Sequence, residues 1–215
     1  MGGEGVDEFE AHLIRSAHTC GPIVVLVENL DQIQPPVIFA PNHQSHFDVP
    51  AVLMALPYRW RRRVAPAMAK EWFTAHFRPE GRGWFERFGN SLQYYLSTLF
   101  FNAFPLPQRE SGALETLRYA GELTSEGWCV LVFPEGKRTD QGEIHRFQPG
   151  VAMMASRLNV PVVPVRLIGL DKVLHQSARM ATPGRAVVRF GRPMKLTGDD
   201  YAALARQVED AVRAL

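Results

Sequence analysis

Along this chain, apolar runs of β type alternate with stretches whose apolar residues recur at helical spacing. Ile23–Val27, Val37–Ala40, Val64–Met68, Cys129–Phe133, Val160–Ile168 and Ala186–Phe190 are short and read as strands. Several are continuously apolar, as strands covered on both faces are. Between them, Val49–Leu56, Lys70–Phe77, Trp84–Phe101, Gly112–Glu126, Gly150–Leu158 and Asp200–Leu215 read as helices. Such alternation predicts an α/β fold: one mixed, mainly parallel sheet flanked by helices. Pro35-Pro36 and Pro105/Pro107 punctuate elements. No internal repeat, low-complexity tract or linker divides the sequence, so 1–215 reads as a single domain.

Composition narrows the picture only a little. With 215 residues the chain can bury a substantial core. Twenty-four basic and 22 acidic residues leave a net charge of +2, so no global field points to nucleic acid. The two cysteines, Cys20 and Cys129, make neither a disulfide framework nor a metal spacing, and Cys129 reads as a small core residue. Residues 1–10 are glycine-rich and acidic, without the basic and apolar regions of a signal peptide. No stretch approaches the roughly 18 uninterrupted apolar residues of a membrane span. The expected location is cytoplasmic, or peripheral at the inner face of the membrane.

Two short motifs carry the chemistry. Asn42-His43-Gln44-Ser45-His46-Phe47-Asp48 follows the strand Val37–Ala40, and Phe133-Pro134-Glu135-Gly136-Lys137-Arg138-Thr139 follows the strand Cys129–Phe133. Ligands of open α/β sheets bind outside the carboxyl ends of the strands. If the two strands are parallel neighbours, His43 and Glu135 share one rim. On a continuous helix, residues five apart point about 140° away from each other, so His43 and Asp48 could not touch. Contact requires His43 in the turn after the strand and Asp48 at the helix start, where Asp is a favoured N-cap and Val49-Pro50 suits the first turn. Asp48 could then orient the imidazole and leave its other nitrogen to take a proton. A capping Asp48 beside a loop histidine is the plainer alternative, and metal binding by His43, His46 and Asp48 is a third, without a further ligand cluster to support it. No Gly-x-Ser-x-Gly element supplies a nucleophile, so a substrate hydroxyl would attack directly. In the second motif Gly136 permits positive φ, and Lys137 and Arg138 offer cations for an anion. Arg109, in Phe104-Pro105-Leu106-Pro107-Gln108-Arg109, is a second candidate cation.

Taken together these residues resemble the PlsC-type glycerolipid acyltransferases, the lysophosphatidic acid acyltransferases and their relatives. His43–Asp48 fits the family's Asn-His-x4-Asp block, Phe104–Arg109 a looser Phe…Arg block, and Phe133–Thr139 its Phe-Pro-Glu-Gly-x-Arg-Ser/Thr block. Val160–Val165 fits a Val-Pro-rich strand, and Phe147-x-x-Gly150 a segment that follows the third block. The match spans roughly residues 35 to 192. The resemblance implies a glycerolipid acyltransferase fold with no metal and no tightly bound cofactor. His43 would be the general base and Asp48 its orienter. Arg109 and Arg138 would hold the acceptor phosphate, with Lys137 adding charge where Thr is frequent. Glu135 and Gly136 would position the glycerol, and Pro164 would shape the acyl-donor side. The implied partners are lysophosphatidic acid or a related phosphorylated glycerolipid as acceptor, and acyl-CoA or acyl-carrier-protein as donor. The N-terminus lacks the apolar helical segments that anchor many relatives. A soluble O-acyltransferase for a different alcohol acceptor, on its own or as a domain of a larger multidomain protein, therefore stands as an alternative, and a non-catalytic lipid or acyl-carrier binding module as one of another class.

Arg59-Trp60-Arg61-Arg62-Arg63 is a compact basic-aromatic cluster, followed by Trp72, Phe73, Phe77, Trp84, Phe85 and Phe88 among further arginines. Aromatics beside cations suit a lipid interface, and an acidic carrier protein would be attracted by the same charges. Neutralising Arg61–Arg63 is expected to weaken binding to anionic liposomes or to an acidic carrier at low salt, with about 1 kcal/mol lost per cation at a lipid surface. Unchanged binding would remove this role.

Overall fold

The computed structural model describes residues 16–20, 23–28, 30, 33–45, 47–69, 104–106, 113–139, 143–173 and 184–215. Its strands are β1 (Ser16–Cys20), β2 (Ile23–Glu28), β3 (Ile38–Pro41), β4 (Val64–Ala69), β5 (Phe104–Leu106), β6 (Cys129–Leu131), β7 (Val162–Ile168) and β8 (Gly184–Phe190). They form one sheet in the order β1-β2-β8-β7-β3-β6-β4-β5. Pairings β2–β8, β7–β3, β3–β6, β6–β4 and β4–β5 are parallel, while β1–β2 and β7–β8 are antiparallel. The mixed, mainly parallel sheet expected from the alternation is therefore present.

The described helices are α1 (Asp48–Ala55), α2 (Tyr58–Arg61), α3 (Ala113–Ser125), α4 (Gly150–Leu158), α5 (Leu170–Val173) and α6 (Tyr201–Ala214). None is long and apolar enough to cross a membrane. The expected helices Lys70–Phe77 and Trp84–Phe101, with their aromatics, lie outside the described residues. Four described elements carry no sequence signal of the kind used above. β1 is short and polar, a composition that blunts an edge. β5 contains Pro105, whose missing N–H is tolerated on an edge strand. α2 and α5 are single turns, too short to show a period.

Alternation along the strands sorts the core into two layers. Phe39, Leu131, Val163, Val165 and Leu167 pack with Ala51, Val52, Leu53 and Ala55 of α1 on one face. Ile38, Ala40, Val130 and Val162 face the other way, against α4 and α6. The buried side of α6 is Leu204, Ala205, Val208 and Val212, an i, i+1, i+4, i+8 stripe. Asp200 caps this helix by accepting from the Ala203 N–H at 2.9 Å.

β3 and β4 are parallel through β6, and α1 runs back between them. The Arg59–Arg63 segment, which leads into β4, thus sits at the rim opposite the one where β3 ends. Arg61 is not a free surface cation there. Its Nη2 donates to the carbonyls of Met54 (3.2 Å) and Leu56 (3.1 Å), satisfying the end of α1. Arg62 lies over the Tyr58 ring, 5.7 Å from its centroid. Arg59, Arg62 and Arg63 are the exposed cations, so neutralising them tests surface charge without uncapping α1.

Cys129 is the small core residue expected: it is 1% exposed, and burial pushes its thiol up to about 11. The thiolate is the reactive form. Cys129 should therefore resist iodoacetamide in the folded protein at mildly alkaline pH and react once the chain is unfolded. Labelling of the Cys129 peptide in native protein, read by mass spectrometry, would contradict its placement.

Candidate active site

The register of β3 and β6 brings the two motifs together. Ile38 pairs with Val130 and Phe39 with Leu131. His43 lies four residues past Phe39, and Glu135 four past Leu131, so the two exits leave the sheet at the same height. The shared rim expected for these loops is observed, with the His43 N–H donating to Glu135 Oε1 at 2.8 Å.

Asn42 releases the chain from β3 without orphaning its neighbour. Its Oδ1 accepts from the Leu167 N–H (2.7 Å) and its Nδ2 donates to the Leu167 carbonyl (3.1 Å). The side-chain amide thus takes the place of another strand residue beside β7, and both buried main-chain groups stay paired. Truncating it would leave two buried groups unsatisfied, each at about 1–3 kcal/mol.

His43 Nδ1 and Asp48 Oδ2 are 2.7 Å apart. The same oxygen accepts from the Gln44 N–H (2.6 Å) and the Ser45 N–H (3.0 Å). Asp48 is fully buried. The expectation that Asp48 caps α1 is corrected. Phe47 occupies the N-cap without a side-chain cap bond, and Asp48 is the first helical residue. Its carboxylate turns back onto the loop because two main-chain donors and the imidazole converge there. The position still sets a negative charge in the first turn, where the helix dipole favours it. The His43 ring stacks on Phe133, with centroids 4.0 Å apart and planes 24° from parallel. Pinned on one nitrogen and one face, the imidazole has one defined direction in which Nε2 can meet a ligand.

Glu135 is 3% exposed. Its Oε1 accepts from the His43 N–H, and its Oε2 from the His145 N–H at 2.8 Å. A glycerol at this carboxylate would have to use the remaining lone pairs. Burial raises the Glu135 carboxyl's pKa, opposed by those two main-chain bonds and by the charges of His43 and His145. Gly136 has φ +73°, as expected of this turn. Lys137 is exposed and Arg138 half-buried. Burial lowers the Arg138 pKa and the Asp48 carboxylate opposes that shift, so this cation is within electrostatic reach of the dyad.

Pro164 is placed in the middle of β7, opposite Ala40. It falls between the β7–β8 ladder, which ends at Val165 and Phe190, and the isolated bridge from Val162 to Met194. The Gly191 N–H donates to its carbonyl at 2.8 Å, and proline, lacking an N–H, cannot return the bond. A side chain at Gly191 would meet the Pro164 ring at 2.7 Å. Arg109 and His46 lie outside the described residues. Among the described residues no group of three His, Cys, Asp or Glu is arranged to hold a metal.

Asn42, Phe133, Thr139 and His145 are residues to which motif reasoning gave no individual task. Asn42, Phe133 and Thr139 sit at the ends of the two motifs, and that adjacency was the signal available. His145 contributes a main-chain N–H, which no side-chain pattern announces.

The raised Glu135 pKa gives a signed prediction. The folded state holds this proton more tightly than the unfolded chain, so the stabilising effect of the proton is present at low pH. It is lost as pH rises from the ordinary value of 4.5 through the folded one. Wild type should therefore gain thermal stability relative to Glu135→Gln as pH falls through that window. A difference in Tm that stays flat would refute the shift.

The model of the Acyltransferase family matches residues 24–168. The 1-acyl-sn-glycerol-3-phosphate acyltransferase beta of Homo sapiens is 27% identical over 181 residues, 84% of this chain and 58% of that protein. The alpha enzyme of Mus musculus is 27% identical over 183 residues, 82% of this chain and 57% of its own. This chain thus spans less than two thirds of the length of these relatives. The crystal structure of the 1-acyl-sn-glycerophosphate acyltransferase PlsC from Thermotoga maritima superposes with a TM-score of 0.63 at 24% identity, covering 88% of this chain and 69% of that one, and supports the same fold. With the family model matched from β2 to the end of β7, across both motifs and the sheet that joins them, this chain belongs to the Acyltransferase family.

Proposed function

We propose that this chain transfers a fatty acyl group from an acyl thioester to the free hydroxyl of lysophosphatidic acid or a closely related phosphorylated glycerolipid. The observation that carries this reading is the His43–Asp48 dyad at 2.7 Å, fixed at the sheet rim beside the Phe133–Thr139 turn and its cations. The relatives named 1-acyl-sn-glycerol-3-phosphate acyltransferases support the choice of acceptor.

In this mechanism His43 Nε2 accepts the acceptor's hydroxyl proton while that oxygen attacks the thioester carbonyl. Asp48 holds Nδ1–H and stabilises the imidazolium as it forms. Collapse of the tetrahedral adduct breaks the C–S bond, and the imidazolium returns its proton to the departing thiolate. No covalent acyl-enzyme is formed and no metal takes part. Arg138 neutralises the acceptor phosphate near the dyad, helped by the exposed Lys137, and Arg109 is the second phosphate ligand. Gly136 lets the backbone approach the glycerol, and Pro164 shapes the donor side from β7.

The test is incubation of purified protein with lysophosphatidic acid and a long-chain acyl-CoA, in parallel with the acyl-carrier-protein thioester. Product lipid is followed by mass spectrometry. His43→Ala should lower turnover by about 10²–10⁴-fold, the usual contribution of a general base. Arg138→Ala should chiefly raise the KM for the phosphorylated acceptor. Product formation unaffected by His43→Ala would refute the mechanism. Absence of product from both donors would refute the acceptor assignment.

A further inference from the structure

The dyad accounts for the His43 side chain but not for how its main chain is held, and the structure gives that task to the second motif. The His43 N–H donates to Glu135 Oε1 at 2.8 Å. The His43 carbonyl accepts from the Thr139 N–H at 2.9 Å. It also lies 3.0 Å from Thr139 Oγ1, which is 2.6 Å from the Glu143 carbonyl. The hydroxyl has one proton, so it is shared between the two carbonyls or alternates between them. Thr139 is 2% exposed and Glu135 3%, so water does not readily replace either partner. Glu135 Oε2 meanwhile accepts from the His145 N–H. The result is a closed frame, in which the turn from Glu135 to Thr139 grips both sides of the His43 backbone. Residues 143–145 grip the turn from behind.

We propose that Glu135 and Thr139 are positioning residues for His43. In this frame they set the height and tilt of the imidazole over the acceptor, and the second motif serves the base as well as the anion. The inference rests on the reading of His43 as the base. It explains why a buried carboxylate and a buried hydroxyl bracket the cations in one short motif. Phosphate binding alone would ask for neither. It also separates two kinds of residue within Phe133–Thr139: Arg138 is coupled to the Asp48 charge and Lys137 is exposed, while Glu135 and Thr139 bond main chain.

The test compares Thr139→Val, which keeps the shape and removes the hydroxyl, with Thr139→Ser, which keeps the donor, and with Glu135→Gln. Kinetics are read alongside the rate at which diethyl pyrocarbonate modifies His43, followed by peptide mass spectrometry. Melting curves identify folded variants. Thr139→Val and Glu135→Gln should lower kcat by about ten- to a hundredfold while the KM for lysophosphatidic acid stays within about twofold, the pattern of a misplaced reacting group. Thr139→Ser should restore most of the loss. His43 modification should change several-fold in the two impaired variants and not in the Ser variant. A raised acceptor KM at unchanged kcat would overturn the proposal, because the two side chains would then serve the acceptor. Unchanged kinetics together with unchanged labelling would overturn it as well. If wild type transfers no acyl group, the proposed function fails, and the labelling rates alone still decide whether the frame holds His43.

Discussion

The site depends on the parallel pairing of β3 with β6 and on the equal length of the two chains that leave it. Phe39 and Leu131 stand side by side, and four residues on each strand reach His43 and Glu135. A one-residue change in either exit would move the His43 amide out of reach of the Glu135 carboxylate, since a residue of extended chain advances about 3.3 Å and the bond is 2.8 Å. The rest follows from this register. Asn42 can leave β3 only because its amide satisfies Leu167, and Asp48 can turn back on the loop only because the loop presents three donors to one oxygen.

Two buried carboxylates sit in this small volume with different tasks. Asp48 gathers donors from its own loop and faces an imidazole. Glu135 spans two loops distant in sequence and faces main chain on both sides. Burying a carboxylate is costly unless donors compensate it. The donors here are mostly main-chain amides, which cannot move away without unfolding a loop. Electrostatics and loop geometry are therefore one constraint: the loops hold the charges, and the charges need the loops. Each carboxylate also has a cation within electrostatic reach, Arg138 for Asp48 and Arg166 for Glu135. Burial and the charges of Arg213 and Arg189 lower the Arg166 pKa, the Glu135 carboxylate opposes that shift, and the guanidinium donates to the Val212 carbonyl near the end of α6.

Much of this was legible in the sequence, for physical reasons that differ by element. Strands covered on both faces announce themselves as apolar runs, as β3, β6 and β7 do, and the apolar content of β2, β4 and β8 places those strands within a few residues as well. The α4 span, Gly150–Leu158, was read to the residue. Edge strands carry no such signal, and Phe104–Leu106 passed for punctuation because of its proline. Contact between His43 and Asp48 was legible because a helical arrangement forbade it and a turn allowed it. The direction of the Asp48 carboxylate was not legible, because Asp at a helix start caps forward in most sequences and only the Gln44 and Ser45 amides pull it back. The tasks of Thr139 and His145 depend on main-chain donors and acceptors, which every residue has, and sequence patterns are blind to them. Arg61 shows the same limit in reverse. It read as one of a row of surface cations, yet the neighbouring helix end needs its guanidinium.

The placement of the basic cluster bears on how a lipid would reach the dyad. β4 begins where the Arg59–Arg63 segment ends, and His43 lies past the end of β3, with both strands running the same way beside β6. A bilayer touching Arg59, Arg62 and Arg63 would thus meet the rim opposite the dyad, with the length of the sheet in between. An acceptor whose phosphate sits at Arg138 must enter from the His43 rim. If anionic lipid binds both places, the two contacts cannot be made by one flat membrane on one face of the molecule. Charge at Arg59–Arg63 is therefore separated by the length of the sheet from the His43 rim, where the proposed acceptor would enter. Under the proposed function the cations at the two rims should thus differ in consequence: Arg138 of the second motif bears on the acceptor, whereas Arg59, Arg62 and Arg63, at the far rim of the sheet, do not.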